Sequence, residues 1–293
     1  MAASSLVGCA WLARRPEAPP PAAGAAPDSP QALIDLVSAR RAAVKSLRAT
    51  GKLQVTVDAR RGADIRRNRF TASQAILAQS PSSFRLEALS PFGVAYAVAS
   101  DGRELAVLIP SESVVYRGAA ELGTVAAATG VAATPEDVTE LLLGLPPAPE
   151  LDLEHAWVSH PGSPGMGGDG SDGPIAPEIL LHATARDDPD DLVVVGFATI
   201  AATGSLEPVL YERITGQGQL VLRARFGAYR AMPAGPFATR VEIQAIDSEA
   251  VLTYSDVDVN PALEASRFAV ATPSGARVLR LDASGRVAAQ DPA

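Results

Sequence analysis

Lys52-Leu53-Gln54-Val55-Thr56-Val57-Asp58 decides the fold. Leu53, Val55 and Val57 alternate with Lys52, Gln54, Thr56 and Asp58, the period of two that a strand needs when one face is buried and the other is wet. Phe84, Leu86 and Ala88 repeat the pattern against Arg85 and Glu87. Strand-like runs follow near 68–78, 94–100, 104–109, 114–118, 178–185, 191–201, 206–214, 219–226, 237–246, 250–258 and 277–281, several joined by Asp-Gly, Gly-Gln or Pro-Gly turn signals. The expectation is a mainly β (α+β) chain of about 11 or 12 antiparallel strands.

Helical signals bracket the first strands. Ser29 and Pro30 offer an N-cap and a first-turn proline, and Leu33, Ile34, Leu36, Val37, Val44 and Leu47 then recur on one face, predicting an amphipathic helix over 30–48. Ala119 to Ala128 has apolar positions throughout, and Thr134-Pro135-Glu136-Asp137 caps a second short helix running through Leu141-Leu142-Leu143 to Gly144. A largely apolar helix pair between strands must cover something. It either packs on an ordinary core or forms a lid across an open sheet. Residues 159–177, rich in Gly, Pro, Ser and Asp, read as a flexible surface loop.

Composition narrows the function. With 293 residues, 47% of them hydrophobic, the chain can bury a substantial core. A net charge of −8 argues against a nucleic-acid surface, which needs clustered Lys and Arg. No apolar run reaches the roughly 18 to 20 residues of a spanning helix. The single cysteine cannot form an intramolecular disulfide. It ends Leu6-Val7-Gly8-Cys9, which is either a lipobox carrying a lipidated thiol or a chance run of small residues. Pro16 to Pro30, rich in Pro and Ala, fits the first reading as a tether; extended, Ala10 to Ser29 would reach roughly 60 Å. The stretch before Cys9 lacks Lys and Arg and is short, so the true start is expected upstream. The expected organisation is a truncated signal and lipobox over 1–9, a tether over 10–29, one domain over 30–281 and a tail over 282–293.

Catalysis is poorly provisioned. The only histidines are His155, His160 and His182, and no Gly-x-Ser-x-Gly, P-loop or His-Glu-x-x-His spacing occurs. Asp169-Gly170-Ser171-Asp172-Gly173 lacks the later bidentate acid of a calcium loop, and His155 and His160 read as surface residues beside the flexible loop. No enzyme, metal or cofactor is expected. Arg60, Arg61, Arg66, Arg67 and Arg69 gather between the first two strands, as a solvated hairpin tip or as a contact for anionic headgroups.

Ser83-Phe84-Arg85-Leu86, Ser90-Pro91-Phe92-Gly93, Leu141-Leu142-Leu143-Gly144-Leu145-Pro146 and Met232-Pro233-Ala234, with Thr50-Gly51 before them, resemble in order and spacing the LolA/LolB lipoprotein-localisation family. The resemblance covers roughly Ser29 to Asn260. It implies an unclosed antiparallel β-barrel with an N-terminal helix and lid helices over an apolar cavity that receives lipoprotein acyl chains. By it, Cys9 carries the lipid anchor on the periplasmic face of a Gram-negative outer membrane. Phe92 stands on a membrane-contact loop, and a periplasmic LolA-like carrier delivers cargo to what is expected to be a monomer. The loop at 159–177 and the tail after Asn260 depart from the pattern.

Two functions compete. In the first, Leu53, Val55, Phe84, Leu86, Tyr96 and Val98 on the concave face, with Leu141 and Leu142 on the lid, hold acyl chains at about 0.8 kcal/mol per buried methylene. In the second, the same residues fill the closed core of a structural or envelope-assembly lipoprotein, or serve a carrier of another lipid.

Overall fold

The computed structural model describes residues 29–61, 64–147, 151–161, 174–185, 188–246 and 248–288, with side chains outside 57–67. Cys9 and the segment 162–173 lie outside the described residues.

Helix α1 (Pro30–Ala43) starts as expected, with the Ala32 amide donating to the Ser29 hydroxyl and Pro30 in the first turn. It ends five residues earlier than the periodicity predicts. The cause is Asn260, far away in sequence, whose Oδ1 accepts from the Lys45 and Ser46 amides while its Nδ2 donates to the Ala43 carbonyl. That side chain closes the helix and opens the first strand. Leu47 accordingly points into the core from a strand.

Two meanders build the sheet. The first runs β1 (Ser46–Arg61), β2 (Asp64–Gln79), β3 (Ser83–Ser90), β4 (Gly93–Asp101), β5 (Glu104–Ile109) and β6 (Val114–Ala119). Helices α2 (Leu122–Thr129) and α3 (Pro135–Leu142) follow. The second meander runs β7 (Leu151–Ser159), β8 (Ile179–Ala185), β9 (Leu192–Ile200), β10 (Ser205–Ile214), β11 (Leu220–Met232), β12 (Gly235–Ala245) and β13 (Ser248–Val259), before a last strand, β14 (Arg277–Arg280). All join one sheet in the order β14-β6-β5-β4-β3-β2-β1-β13-β12-β11-β10-β9-β8-β7. The fold is an unclosed sheet of 14 strands with an N-terminal helix, as expected in kind.

Three details correct the sequence reading. The sheet has 14 strands where about 11 or 12 were expected, and β7 alone is missing from the runs read in the sequence: Asp152 pairs with Thr184 but Trp157 with His182, and this bulge breaks the alternation that marks a strand. The five arginines assigned to the first connection all lie within β1 and β2, which pair as far as Arg61 with Asp64. The last strand, β14, pairs with β6 in parallel.

The meanders meet where β1 pairs with β13, from Leu47 opposite Val259 to Val57 opposite Ser248. A bulge at Thr50/Gly51 bends the joint, and a Cβ on Gly51 would lie 2.6 Å from the Thr253 carbonyl oxygen. Only glycine fits there. The inward face of the sheet and all three helices share one apolar core that includes Leu33, Leu47, Ile76, Phe84, Phe226 and Tyr254. On the outward face, the chain after Asn260 crosses the sheet and buries Val270 against Ala99 and Ala106. Arg85 holds this crossing by donating to the Arg267 and Ala269 carbonyls.

Candidate functional site

On the inner face, Phe84 lies on β3 opposite Ser100, and Leu86 opposite Val98 on β4, so alternation turns these side chains to one side. Phe84 is 0% exposed, and Val98, Leu141 and Leu142 are buried in the same cluster. Leu53, Leu86 and Tyr96 pack against it while half-buried. The structure thus brings together seven of the eight residues expected to line the cavity. Val55 stands apart, half-buried and nearer the rim, between Phe70 on β2 and Ala250 on β13.

Helices α2 and α3 lie across this face. Their C-terminal carbonyls, which no helical amide can satisfy, are taken by side chains of the sheet. The Tyr96 hydroxyl donates to the Ala128 carbonyl at 2.6 Å, and the Tyr254 hydroxyl to the Leu142 carbonyl at 2.6 Å. Ser248 donates from the far side of the sheet to the carbonyl of Gly130, just beyond α2. The link between the helices thus runs from β4 to β13. Burial pushes the Tyr96 phenol up to about 12, and that of Tyr254 also upward, so both remain donors. A capping box at Thr134 and Asp137 starts α3. An ion pair between Arg41 and Glu140 ties it to α1.

Neither Tyr254 nor Ser248 figured among the expected site residues. Alternation over 250–258 places Leu252 and Tyr254 inward, but a hydroxyl aimed at a helix end leaves no mark in the local pattern. Tyr254→Phe strands a buried carbonyl and is expected to lower stability by about 1 to 3 kcal/mol, read as a drop in urea midpoint. An unchanged midpoint would mean that the bond does not hold α3.

A second polar contact pins α1. Arg40 Nε lies 3.1 Å from Glu207 Oε2 on β10, and its Nη1 donates to the Ala234 carbonyl in Met232-Pro233-Ala234. The Glu207 side chain is only 4% exposed. Burial raises its pKa, opposed by Arg40 and by a Ser205 hydrogen bond.

Phe92 is placed far from this face, at the tip of the β3–β4 turn. The Ser90 hydroxyl accepts from the Phe92 amide and donates to the Gly93 carbonyl, and Gly93 takes φ +113°. The turn therefore holds its own backbone polar groups and leaves the ring outside, 100% exposed.

Two other features compete as sites. A groove of about 710 Å3 on the outward face is walled by Arg48 paired with Asp258, Thr50 bonded to Asp256, and Arg85 paired with Glu87. These satisfied polar walls do not suit an acyl chain. Asp152, Glu154 and His155 converge in the β7 bulge with ligand atoms within 4.8 Å, where Asp152 raises the His155 pKa. With Glu154 and His155 exposed and Asp152 half-buried, they form no built cage.

No protein-family model and no curated protein matches the chain. Among solved structures it is similar to a LolA superfamily protein from Nitrosomonas europaea, at 17% identity and TM-score 0.47, covering 84% of this chain and 99% of that one. A domain from Vibrio parahaemolyticus named for outer membrane lipoprotein sorting gives 12% identity and TM-score 0.47, over 80% and 95%. A DUF1329 family protein from Desulfovibrio piger gives 14% and 0.43, over 83% and 98%.

Proposed function

We propose that this protein is a non-catalytic lipid-binding protein of the cell envelope that takes acyl chains between the sheet and helices α2 and α3, and passes them on. The observation that carries this reading is the way the helices are held. They cross the apolar face of Leu86, Tyr96 and Val98, and side-chain hydrogen bonds fasten them chiefly at their C-terminal ends. Between those points the contact is largely apolar, so an acyl chain can replace side chains of the helices without stranding a polar group. Loading then parts the helices from the sheet between their fastened ends, and each methylene buried contributes about 0.8 kcal/mol toward that opening. Release needs no covalent step, only a competing apolar environment.

In the finer form of the proposal, the chain is anchored through Cys9 to the outer membrane and accepts lipoproteins from a LolA-like carrier, with Phe92 entering the lipid interface at delivery. The full exposure of Phe92 supports this, since a large ring held in water by a self-satisfied turn has no packing role. Phe92→Ala is expected to leave thermal stability unchanged, as for most surface substitutions, and to impair transfer of a bound lipoprotein to liposomes. Unimpaired transfer would remove Phe92 from the mechanism. The wider proposal is tested by uptake of the neutral apolar dye N-phenylnaphthylamine by the unacylated protein. It requires uptake that a long-chain fatty acid competes away. The anchor has its own check: Cys9→Ser should release the protein from the membrane fraction, and retention after a high-salt wash would refute the assignment.

A further inference from the structure

The groove on the outward face plays no part in acyl binding, and its floor and walls follow from the sheet register. Two rungs cross it, Asp258–Arg48–Leu77–Arg85 and Asp256–Thr50–Ala75–Glu87, each running from β13 through β1 and β2 to β3. In both, β2 supplies a half-buried apolar side chain, whereas β13, β1 and β3 supply charged or hydroxyl-bearing ones. The result is a furrow of about 710 Å3 with Ala75 and Leu77 as its floor, a volume in the range of ligand sites. At one end stands Arg267, from the turn Ala265–Phe268 that packs over β3 and β4. Its side chain is exposed and makes no hydrogen bond or ion pair among the described residues.

Immediately beside the furrow, the same face already holds a stretch of chain that does not pair with the sheet. Arg85 Nη1 donates to the Arg267 and Ala269 carbonyls at 3.1 and 2.8 Å, and Arg117 Nη2 donates to the Val270 carbonyl at 2.7 Å. Val270, 3% exposed, sinks against Ala99 on β4 and Ala106 on β5. Guanidinium donors for carbonyls and an alanine notch for one apolar side chain are thus enough to seat extended polypeptide on this face. The furrow offers both again. Arg48 uses one nitrogen on Asp258 and keeps the others, Arg267 is free, and Ala75 is the notch.

We propose that the furrow is a docking site for an extended polypeptide segment of a partner protein, with one small apolar side chain on Ala75 and Leu77 and its carbonyls at Arg48 and Arg267. Charge selects this occupant. Arg48, Arg85 and Arg267 are matched by Glu87, Asp256 and Asp258, so no net field draws a phosphate or a polyanion. No aromatic side chain lines the furrow for a sugar ring to stack on. A peptide backbone is neutral and carries donors and acceptors in alternation, which suits walls that set guanidinium donors beside carboxylate acceptors. The partner's amides meet Asp256, whose Oδ2 accepts from the Thr50 hydroxyl while Oδ1 stays open. The site stands apart from the acyl-chain reading, because it lies on the opposite face of the sheet.

The test pans a phage library of random dodecapeptides against the full chain carrying Cys9→Ser, then measures the enriched peptides, made synthetically, by fluorescence polarisation. Ala75→Trp fills the furrow from an outward strand position, and Arg267→Ala removes a donor that lies off the sheet. Each should weaken binding on the order of tenfold or more, the loss expected for a charged hydrogen bond or a blocked floor. Arg225→Ala, on β11 and outside the furrow, should leave binding unchanged. Peptides that bind Ala75→Trp as tightly as the unmutated furrow would overturn the proposal, and so would a selection that enriches none. Should Ala75→Trp fail to fold, equal binding by Arg267→Ala overturns it in the same way. Competition by a long-chain fatty acid would place the peptides on the inner face, and a dimer in sedimentation that Ala75→Trp abolishes would make a second copy the occupant; either outcome refutes the assignment. Dye uptake reads the acyl site and is indifferent to these variants, so each reading can fail alone.

Discussion

Arg40→Met is expected to destabilise the protein by about 3 to 5 kcal/mol at neutral pH, the usual consequence of leaving one partner of a buried ion pair alone. The arginine bridges α1 and β10, and Glu207, 4% exposed, is left as an ionised carboxylate with its counter-charge gone. Acidification should return part of the loss. Burial already holds the Glu207 pKa above the ordinary glutamate value, and removing Arg40 raises it further. A carboxyl whose folded pKa is raised binds its proton more tightly in the native state. Its contribution is thus fully present below the unfolded pKa and is lost as pH rises through the folded one. The gap between variant and wild type should therefore be widest at neutral pH and narrow toward the ordinary carboxylate range. Urea titrations at several pH values measure this. A gap that stays constant with pH would assign the loss to packing of the arginine stem, and Glu207→Gln in the Arg40→Met background should rescue only if charge is the cause.

Phe84→Ala is expected to cost about 3 to 5 kcal/mol, as for a core aromatic, because the ring is fully buried in the apolar core that the sheet shares with the helices. In a chain of this size that lowers the melting temperature by roughly 10 °C. The acyl-site reading demands more. If the face under α2 and α3 accepts a chain, fatty acid at a hundredfold over its Kd should restore about 2.7 kcal/mol to the variant and add as much to the wild type. Melting curves with and without fatty acid decide the matter. A variant that falls by the expected amount, with no recovery in either protein, would make Phe84 an ordinary core residue and the sheet face a closed core.

Legibility in the sequence followed the range of the forces involved. Strands such as β1 and β3 were visible because the alternation of Leu53 and Val55, or of Phe84 and Leu86, with polar residues is local. The end of α1 was not, since Val44 and Leu47 continue the helical period and the stop comes from Asn260. The bulge concealed β7, and β14 is too short, at four residues, to advertise that it pairs in parallel. Among site residues, Phe84, Leu86, Val98, Leu141 and Leu142 could be nominated because burial leaves an apolar trace. Tyr254 and Ser248 act through single hydrogen bonds to helix ends, and the Arg40–Glu207 contact joins residues that no spacing rule connects.

The joint between the two meanders bears on how the chain reaches this state. Each meander can pair strand by strand as it emerges, but Arg48 must find Asp258 across 210 residues of sequence before the sheet is whole. Loops of that span close slowly, so the central joint is expected to form late and to limit the folding rate. Until it does, β1 and β13 each present a long unpaired edge in the middle of what becomes the sheet, open to pairing with another copy. A chain cut short anywhere before Ser248 keeps the β1 edge permanently, and aggregation of such fragments is the expected outcome.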